Sequence, residues 1–227
     1  MKKQYKIISL DLFQTLVDVN KNIFKIWDTV LPSQCTQEQA NKYANELFVD
    51  YATIMRHEMI KSKFMTMKEI FYKCAESTIS RLNIDASPET LVKSLVQAHF
   101  EAPFYEDTIK TIKYLNRKYK VVISTDADND MVCIEKLKQL GINKIYTSEM
   151  LKRYKSDADK KFLLSVLNDF EIEKEEIVHI GDSDSDLKAA VSLDIDFILL
   201  DRKGTKSKKN LNTECIISSL NDLRVEL

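Results

Sequence analysis

Two acidic segments stand at the ends of apolar runs. Asp11 follows Ile7-Ile8-Ser9-Leu10 and opens Asp11-Leu12-Phe13-Gln14-Thr15-Leu16; far downstream, Gly181-Asp182-Ser183-Asp184-Ser185-Asp186 follows a second run that ends at Ile180. Carboxylates gathered at strand ends are the oxygen donors that a hard divalent cation takes. Between them, Ser124 closes Val121-Val122-Ile123 with Thr125 beside it, and Lys155 supplies a compact positive charge. A carboxylate can act as a nucleophile and divide one hydrolysis into two displacements, while an ammonium and a hydroxyl stabilise the charge that develops. Such a site requires Asp11 and Asp182 at the same end of one sheet.

The pattern of the chain supplies that sheet. Tyr5 to Leu10, Lys120 to Ser124, Lys144 to Thr147, Glu176 to Ile180 and Asp196 to Leu200 read as buried strands, with a weaker one near Cys215 to Ile217. Helical patterns separate them: Glu106 to Lys118 with Ile109, Ile112 and Leu115 on one face, Asp130 to Leu140 with Val132, Ile134 and Leu137, and Asp157 to Phe170. Alternation of this kind predicts an α/β fold, a Rossmann-like parallel sheet with helices on both faces.

The stretch 19-102 breaks the alternation and predicts an inserted all-helical unit, leaving 1-18 and 103-227 as the core. Thr36 with Gln39 and Thr66 with Glu69 form capping-box patterns, Ser87-Pro88 marks a third helix start, and Asn22 to Leu31 reads as an earlier helix. Placed after the first strand's carboxyl end, this insert has the position of a lid. Phe24, Trp27, Phe48, Tyr51 and Phe71 are expected in its core, and Arg56, Lys61 and Lys63 on its solvated surface.

Composition excludes several classes. The 227 residues are 44% hydrophobic and 30% charged with a net charge of −1, an ordinary globular balance that gives no bias toward nucleic acid or an anionic membrane. No apolar run approaches the roughly 20 residues of a bilayer span, and Asp11 interrupts the run after Met1-Lys2-Lys3 too early for a signal peptide, so a cytoplasmic location is expected. Cys35, Cys74, Cys133 and Cys215 are widely spaced and read as four buried thiols rather than two disulfides. Only Gly141, Gly181 and Gly204 occur, so neither a dinucleotide fingerprint nor a Walker loop can be written. The basic run Lys203 to Lys209 reads as a solvated loop.

The ordered set Asp11, Ser124, Lys155 and Gly181-Asp182 with Asp186 resembles the haloacid dehalogenase superfamily of hydrolases over essentially the whole chain. The resemblance implies Asp11 as nucleophile, Ser124 as the phosphate-binding hydroxyl, Lys155 as the charge-stabilising lysine, and an α-helical cap entered near Asp18. It implies Mg2+ held by Asp11, the Phe13 carbonyl, Asp182 and Asp186, with Asp186 contacting a metal-bound water or orienting Lys155. Thr15 would fix the loop after the first strand, and Thr125 is the alternative hydroxyl if that strand ends one residue later. Asp184 is assigned to helix capping, as are Asp126 and Asp128, with a substitute general acid as the alternative for the last two, and His179 to an ordinary strand position.

Phe13 departs from the family's phosphatases, which usually carry there an Asp that serves the leaving group as general acid. Loss of such a group typically costs about 10² to 10⁴ in rate. Two alternatives therefore accompany the expected magnesium-dependent hydrolysis of a small phosphorylated metabolite. One is dehalogenase-type carbon–halogen hydrolysis, in which the leaving halide needs no proton; the other is a catalytically weakened protein that binds phosphate or a partner. Oligomeric state is not specified by any pattern in the chain.

Overall fold

The computed structural model describes residues 4–31, 33–58, 63–157, 162–205 and 215–227. Six parallel strands form one sheet: β1 (Ile7–Leu10), β2 (Lys120–Thr125), β3 (Ile145–Thr147), β4 (Ile177–Gly181), β5 (Asp196–Leu200) and β6 (Cys215–Ile217), in the spatial order β3-β2-β1-β4-β5-β6. Every residue of β1 and β4 is buried, which is why both read as continuous apolar runs rather than alternating ones. Strand order reverses at β1, whose neighbours β2 and β4 run from it in opposite directions across the sheet. At such a switch point the carboxyl ends of adjacent strands diverge into a crevice. Leu10 lies beside Ile123 of β2 and Ile180 of β4, and Asp11 N–H extends the ladder by donating to the Ile180 carbonyl at 2.9 Å.

Contacts divide the chain into two compact units. The helical unit comprises 19–103 and 127–133 and contains α1 (Ile23–Val30), α2 (Gln37–Glu58), α3 (Met67–Leu82) and α4 (Pro88–Phe100). The capping boxes at Thr36/Gln39 and Thr66/Glu69 are formed, and Ser87 caps α4 ahead of Pro88. At α3 the first amide donors are all accounted for. Asp128 accepts from Met67 and Lys68 N–H, both at 2.8 Å, and Thr66 Oγ1 accepts from Glu69 N–H. Asp128 thus caps a helix 61 residues upstream.

The expected aromatic core of this unit is only partly realised. Trp27 and Phe71 are buried, but Phe24 is exposed and Phe48 is 68% exposed. The buried face of α1 is Ile26, Trp27 and Val30, which turns Phe24 outward, and Phe48 stacks on Tyr51 at the edge of α2. Arg56 and Lys63 are on the surface, whereas Lys61 lies outside the described residues.

The other unit, 1–18, 104–126 and 134–227, carries the sheet, flanked by α5 (Thr108–Leu115), α6 (Ile134–Gln139), α7 (Ser148–Leu151), α8 (Phe162–Phe170), α9 (Asp184–Val191) and α10 (Leu223–Glu226). Two helix faces differ from the apolar pattern. In α5 the buried residues are Thr108, Thr111, Ile112 and Leu115 while Ile109 is exposed, because Thr108 Oγ1 has a partner in the Leu16 carbonyl. The stretch expected as one helix from Asp130 to Leu140 is a single 3-10 turn, Asn129–Met131, followed by α6, since the chain changes units between them and leaves Ile134 exposed. All four cysteines are free, but only Cys35 and Cys74 are buried, while Cys133 and Cys215 are partly exposed. No helix among the described residues is long and apolar enough to cross a membrane, and residues 206–209 of the basic run lie outside the description.

One buried junction ties the loop after β1 to the rest of this unit. Asp107 receives a bidentate pair of hydrogen bonds from Arg202 (2.9 and 3.0 Å), with Ser219 Oγ at 2.8 Å and Leu220 N–H at 2.9 Å. Arg202 also donates to the Thr15 carbonyl at 2.8 Å and stacks over the Tyr105 ring, 3.9 Å from its centroid. Burial works against the Asp107 charge, but these donors outweigh it and hold the carboxyl below the usual carboxylate range. Replacing Asp107 with Asn should destabilise the protein at pH 7 by about 2 to 4 kcal/mol, measured by denaturant unfolding. Because the folded pKa is depressed, this stabilisation is present above the unfolded carboxylate value of about 4. The gap between the two proteins should therefore close as pH falls below about 4.

Candidate active site

The ends of β1 and β4 bring Asp11, Asp182 and Asp186 together, with one carboxylate oxygen from each lying within 4.8 Å of the others. Lys155, in the turn after α7, reaches into the same place: its Nζ is 2.6 Å from Asp11 Oδ1 and 2.5 Å from Asp186 Oδ1. All three partners of this bridge are buried, the Lys155 side chain being only 3% exposed. Burial alone would strip the lysine of its proton, but Asp11, Asp186 and Asp126 together push its pKa above the ordinary lysine value. Burial pushes Asp11 up, and the Asp186 and Asp182 charges add to the push against Lys155. Asp186 responds in the opposite direction: burial is outweighed by Lys155 and His179, which hold its carboxyl below the usual carboxylate range.

Asp186 is saturated with partners. Its Oδ1 takes Lys155 Nζ and lies 2.9 Å from His179 Nε2; its Oδ2 accepts from Ser183 N–H at 3.1 Å and Ser183 Oγ at 2.5 Å. The bond from Ser183 N–H is half of the capping box that starts α9, the other half being Asp186 N–H donating to Ser183 Oγ at 3.3 Å, so one side chain both begins a helix and anchors the lysine. Asp184, by contrast, is exposed in the first turn, and Ser183 is the capping residue. Gly181 has a spatial reason to be glycine. A Cβ there would fall on the Asp186 carboxyl, with Oδ2 only 2.5 Å away.

Around this centre, Thr15 Oγ1 donates to Asp182 Oδ1 at 3.5 Å, a long contact, and β2 continues through Thr125. Ser124 is fully buried and its Oγ lies 2.9 Å from Ser9 Oγ; Thr125 is almost as buried. Gln14 adopts a left-handed backbone, φ 62°, where a residue without a Cβ would be unstrained; its side-chain carbonyl accepts from Tyr105 Oη at 2.7 Å. Phe13 forms a bridge with Val17 that folds this loop back on itself.

Asp126 and His179 differ from the roles read in the sequence, while Asp128 keeps its own. Asp126 caps no helix: its Oδ1 accepts from Lys155 N–H at 2.9 Å and its Oδ2 from Ser185 Oγ at 3.4 Å, tying the lysine turn to α9, and burial raises its pKa to about 6. Asp128 does cap a helix, but in the other unit. His179, read as an ordinary strand residue, is fully buried between Asp186 and Ser9 Oγ, 2.9 Å from each. The available signal was a polar residue at the centre of the otherwise apolar Ile177-Val178-His179-Ile180.

A six-stranded parallel sheet with a buried lysine and three carboxylates at its switch point defines a Rossmann-like hydrolase architecture. Residues 8–200 match the family model of haloacid dehalogenase-like hydrolases, most of the chain, and the protein belongs to that family. Among solved structures, it is similar to a dehalogenase (16% identity, TM-score 0.82, covering 100% of this chain and 99% of the other). It is also similar to the HAD-hydrolase YfnB from Bacillus subtilis bound to magnesium (15%, TM-score 0.79, 98% of each chain). A third is the L-2-haloacid dehalogenase from Xanthobacter autotrophicus with chloropropionic acid covalently bound (12%, TM-score 0.80, 97% of each). At these identities the likeness is one of fold. No curated protein matches the chain in sequence.

The packing of Asp186 on Gly181 gives a direct test. Gly181→Ala should leave the sheet folded, by circular dichroism, but displace the Asp186 carboxyl from Lys155, visible as a lengthened Lys155–Asp186 separation in a crystal structure of the variant.

Proposed function

We propose that the protein is a magnesium-dependent phosphohydrolase acting on a small phosphorylated metabolite, with Asp11 as nucleophile. The observation that carries this reading is the charge count at the strand ends: three carboxylates lie together, and only one lysine, paired with two of them, stands against their charge. Like charges so close in a buried site are costly unless a cation balances them. The donor set is entirely oxygen, which fits magnesium. Asp11, Asp182 and the Phe13 carbonyl would hold the ion, and Asp186, occupied by Lys155, His179 and Ser183, would act through the lysine.

When bound, magnesium supplies the positive charge that lets an anionic phosphate approach a carboxylate. Asp11 attacks phosphorus through a carboxylate oxygen, the P–O bond to the leaving group breaks, and an aspartyl-phosphate forms; attack by water then releases phosphate and regenerates Asp11. Lys155 holds Asp11 in position and offsets charge on the transferring group. Thr15 orders the loop beside Asp182, and Ser124 or Thr125 supplies the hydroxyl for a nonbridging oxygen. Phe13 can neither protonate the leaving group nor activate water, so substrates with acidic leaving groups should turn over fastest.

Phe13 also favours a second reading, hydrolysis of a carbon–halogen bond, in which halide departs unprotonated; two of the three similar structures described above are dehalogenases. The two readings separate on one panel of phosphomonoesters and 2-haloacids, with and without magnesium. Phosphate release that requires magnesium, falls at least about 10³-fold in Asp11→Asn and shifts to higher magnesium demand in Asp182→Asn is the expected result. Metal-independent halide release would replace it with the dehalogenase reading.

A further inference from the structure

Of the buried ionisable groups around the centre, His179 has no part in the reaction as drawn. It sits in the middle of β4, fully buried, with Nε2 2.9 Å from Asp186 Oδ1 and Nδ1 2.9 Å from Ser9 Oγ. Ser9 on β1 is its register neighbour, and Ser9 Oγ lies 2.9 Å from Ser124 Oγ on β2. One imidazole therefore links Asp186, the anchor of Lys155, to a hydroxyl pair spanning two further strands. A histidine fully buried in the middle of Ile177–Gly181, with its ring 6.1 Å from that of Phe197, loses hydration that an aliphatic residue would not miss, so the position is expensive unless both ring nitrogens are used.

We propose that His179 is a positioning residue for Lys155: it fixes Asp186 Oδ1 in the orientation that receives the lysine, and thereby sets where the ammonium meets Asp11. Asp186 Oδ1 is already paired with the Lys155 ammonium and accepts there, so the Asp186–His179 bond is drawn with the proton on Nε2, which leaves Nδ1 to accept from the Ser9 hydroxyl. Oδ1 then has two donors, Lys155 and His179, converging from different elements, while Ser183 holds Oδ2. Without the imidazole, Oδ1 loses the partner that opposes the pull of Lys155, and the carboxyl can rotate about its Ser183-held oxygen. Partners that orient a charged active-site group in this way typically contribute about 10- to 100-fold in activity. The proposal rests on the reading of Lys155 as part of a phosphohydrolase site, but the position of the lysine can be followed without turnover.

Two amides divide the imidazole's contacts. His179→Gln carries its amide at the position of Nε2 and can still donate to Asp186; His179→Asn carries it at the position of Nδ1 and can still meet Ser9. Both remove the ring and so share its packing loss. With p-nitrophenyl phosphate and saturating magnesium, His179→Asn should lose about 10- to 100-fold in kcat with KM little changed, and His179→Gln should recover most of that loss. Equal losses that follow the thermal midpoints of the two variants would overturn the proposal, leaving His179 a packing residue. In the metal-free protein, the 15N signal of Lys155 Nζ should move in His179→Asn and stay in His179→Gln; no movement in either also overturns it. In the unaltered protein, imidazole 15N shifts should report a proton on Nε2, and a bare Nε2 is incompatible with the proposal. If no phosphomonoester is hydrolysed, the phosphohydrolase reading fails while the lysine and imidazole signals still decide the role of His179.

Discussion

The ammonium of Lys155 is the charge around which this site is built. Removing a lysine and two carboxylates from water costs several kcal/mol per ion, and attraction offsets that cost only when geometry is close and the remaining lone pairs are satisfied. Here the contacts of 2.6 and 2.5 Å meet the first condition. Ser183 and His179 meet the second at Asp186, and the Asp126 carboxylate secures the backbone of the lysine itself. The sheet serves this charge cluster. A switch point places the ends of β1 and β4 side by side, and the capping box of α9 delivers Asp186 at a fixed height above them.

That cluster also explains a division among three acidic residues only four positions apart. Asp182 faces Thr15, Asp184 faces solvent, and Asp186 turns back beneath the helix start over Gly181. Their different surroundings, not their shared side-chain type, separate them into different chemical roles. A scarce glycine is spent at the one place in this segment where any side chain would collide with the anchor of the lysine.

Much of the architecture was legible in the chain. Continuous aliphatic runs specify strands buried on both faces, and Thr36, Thr66 and Ser87 mark helix starts through local hydrogen bonds that close within three residues. The proximity of Asp11, Lys155, Asp182 and Asp186 follows from strand ends that share one edge of the sheet. Legibility fails where a partner comes from far along the chain. Thr108 joins a buried helix face because Leu16 offers a carbonyl 92 residues away, and His179 is a polar strand residue until Ser9, 170 residues earlier, is placed beside it. Asp126 and Asp128 are two residues apart and of one type, yet one serves the lysine turn and the other a helix start in a different unit.

Asp128 has a consequence for how the chain assembles as it is made. Synthesis runs from the N-terminus, and the donors at the start of α3 wait for an acceptor produced 61 residues later, after β2. The helical bundle is therefore not a finished object when its fourth helix leaves the ribosome. Its last segment, 127–133, arrives only once the chain has returned to the sheet and left it again. Completion of the inserted unit therefore requires a piece of chain that is made only after β2 of the unit that hosts it.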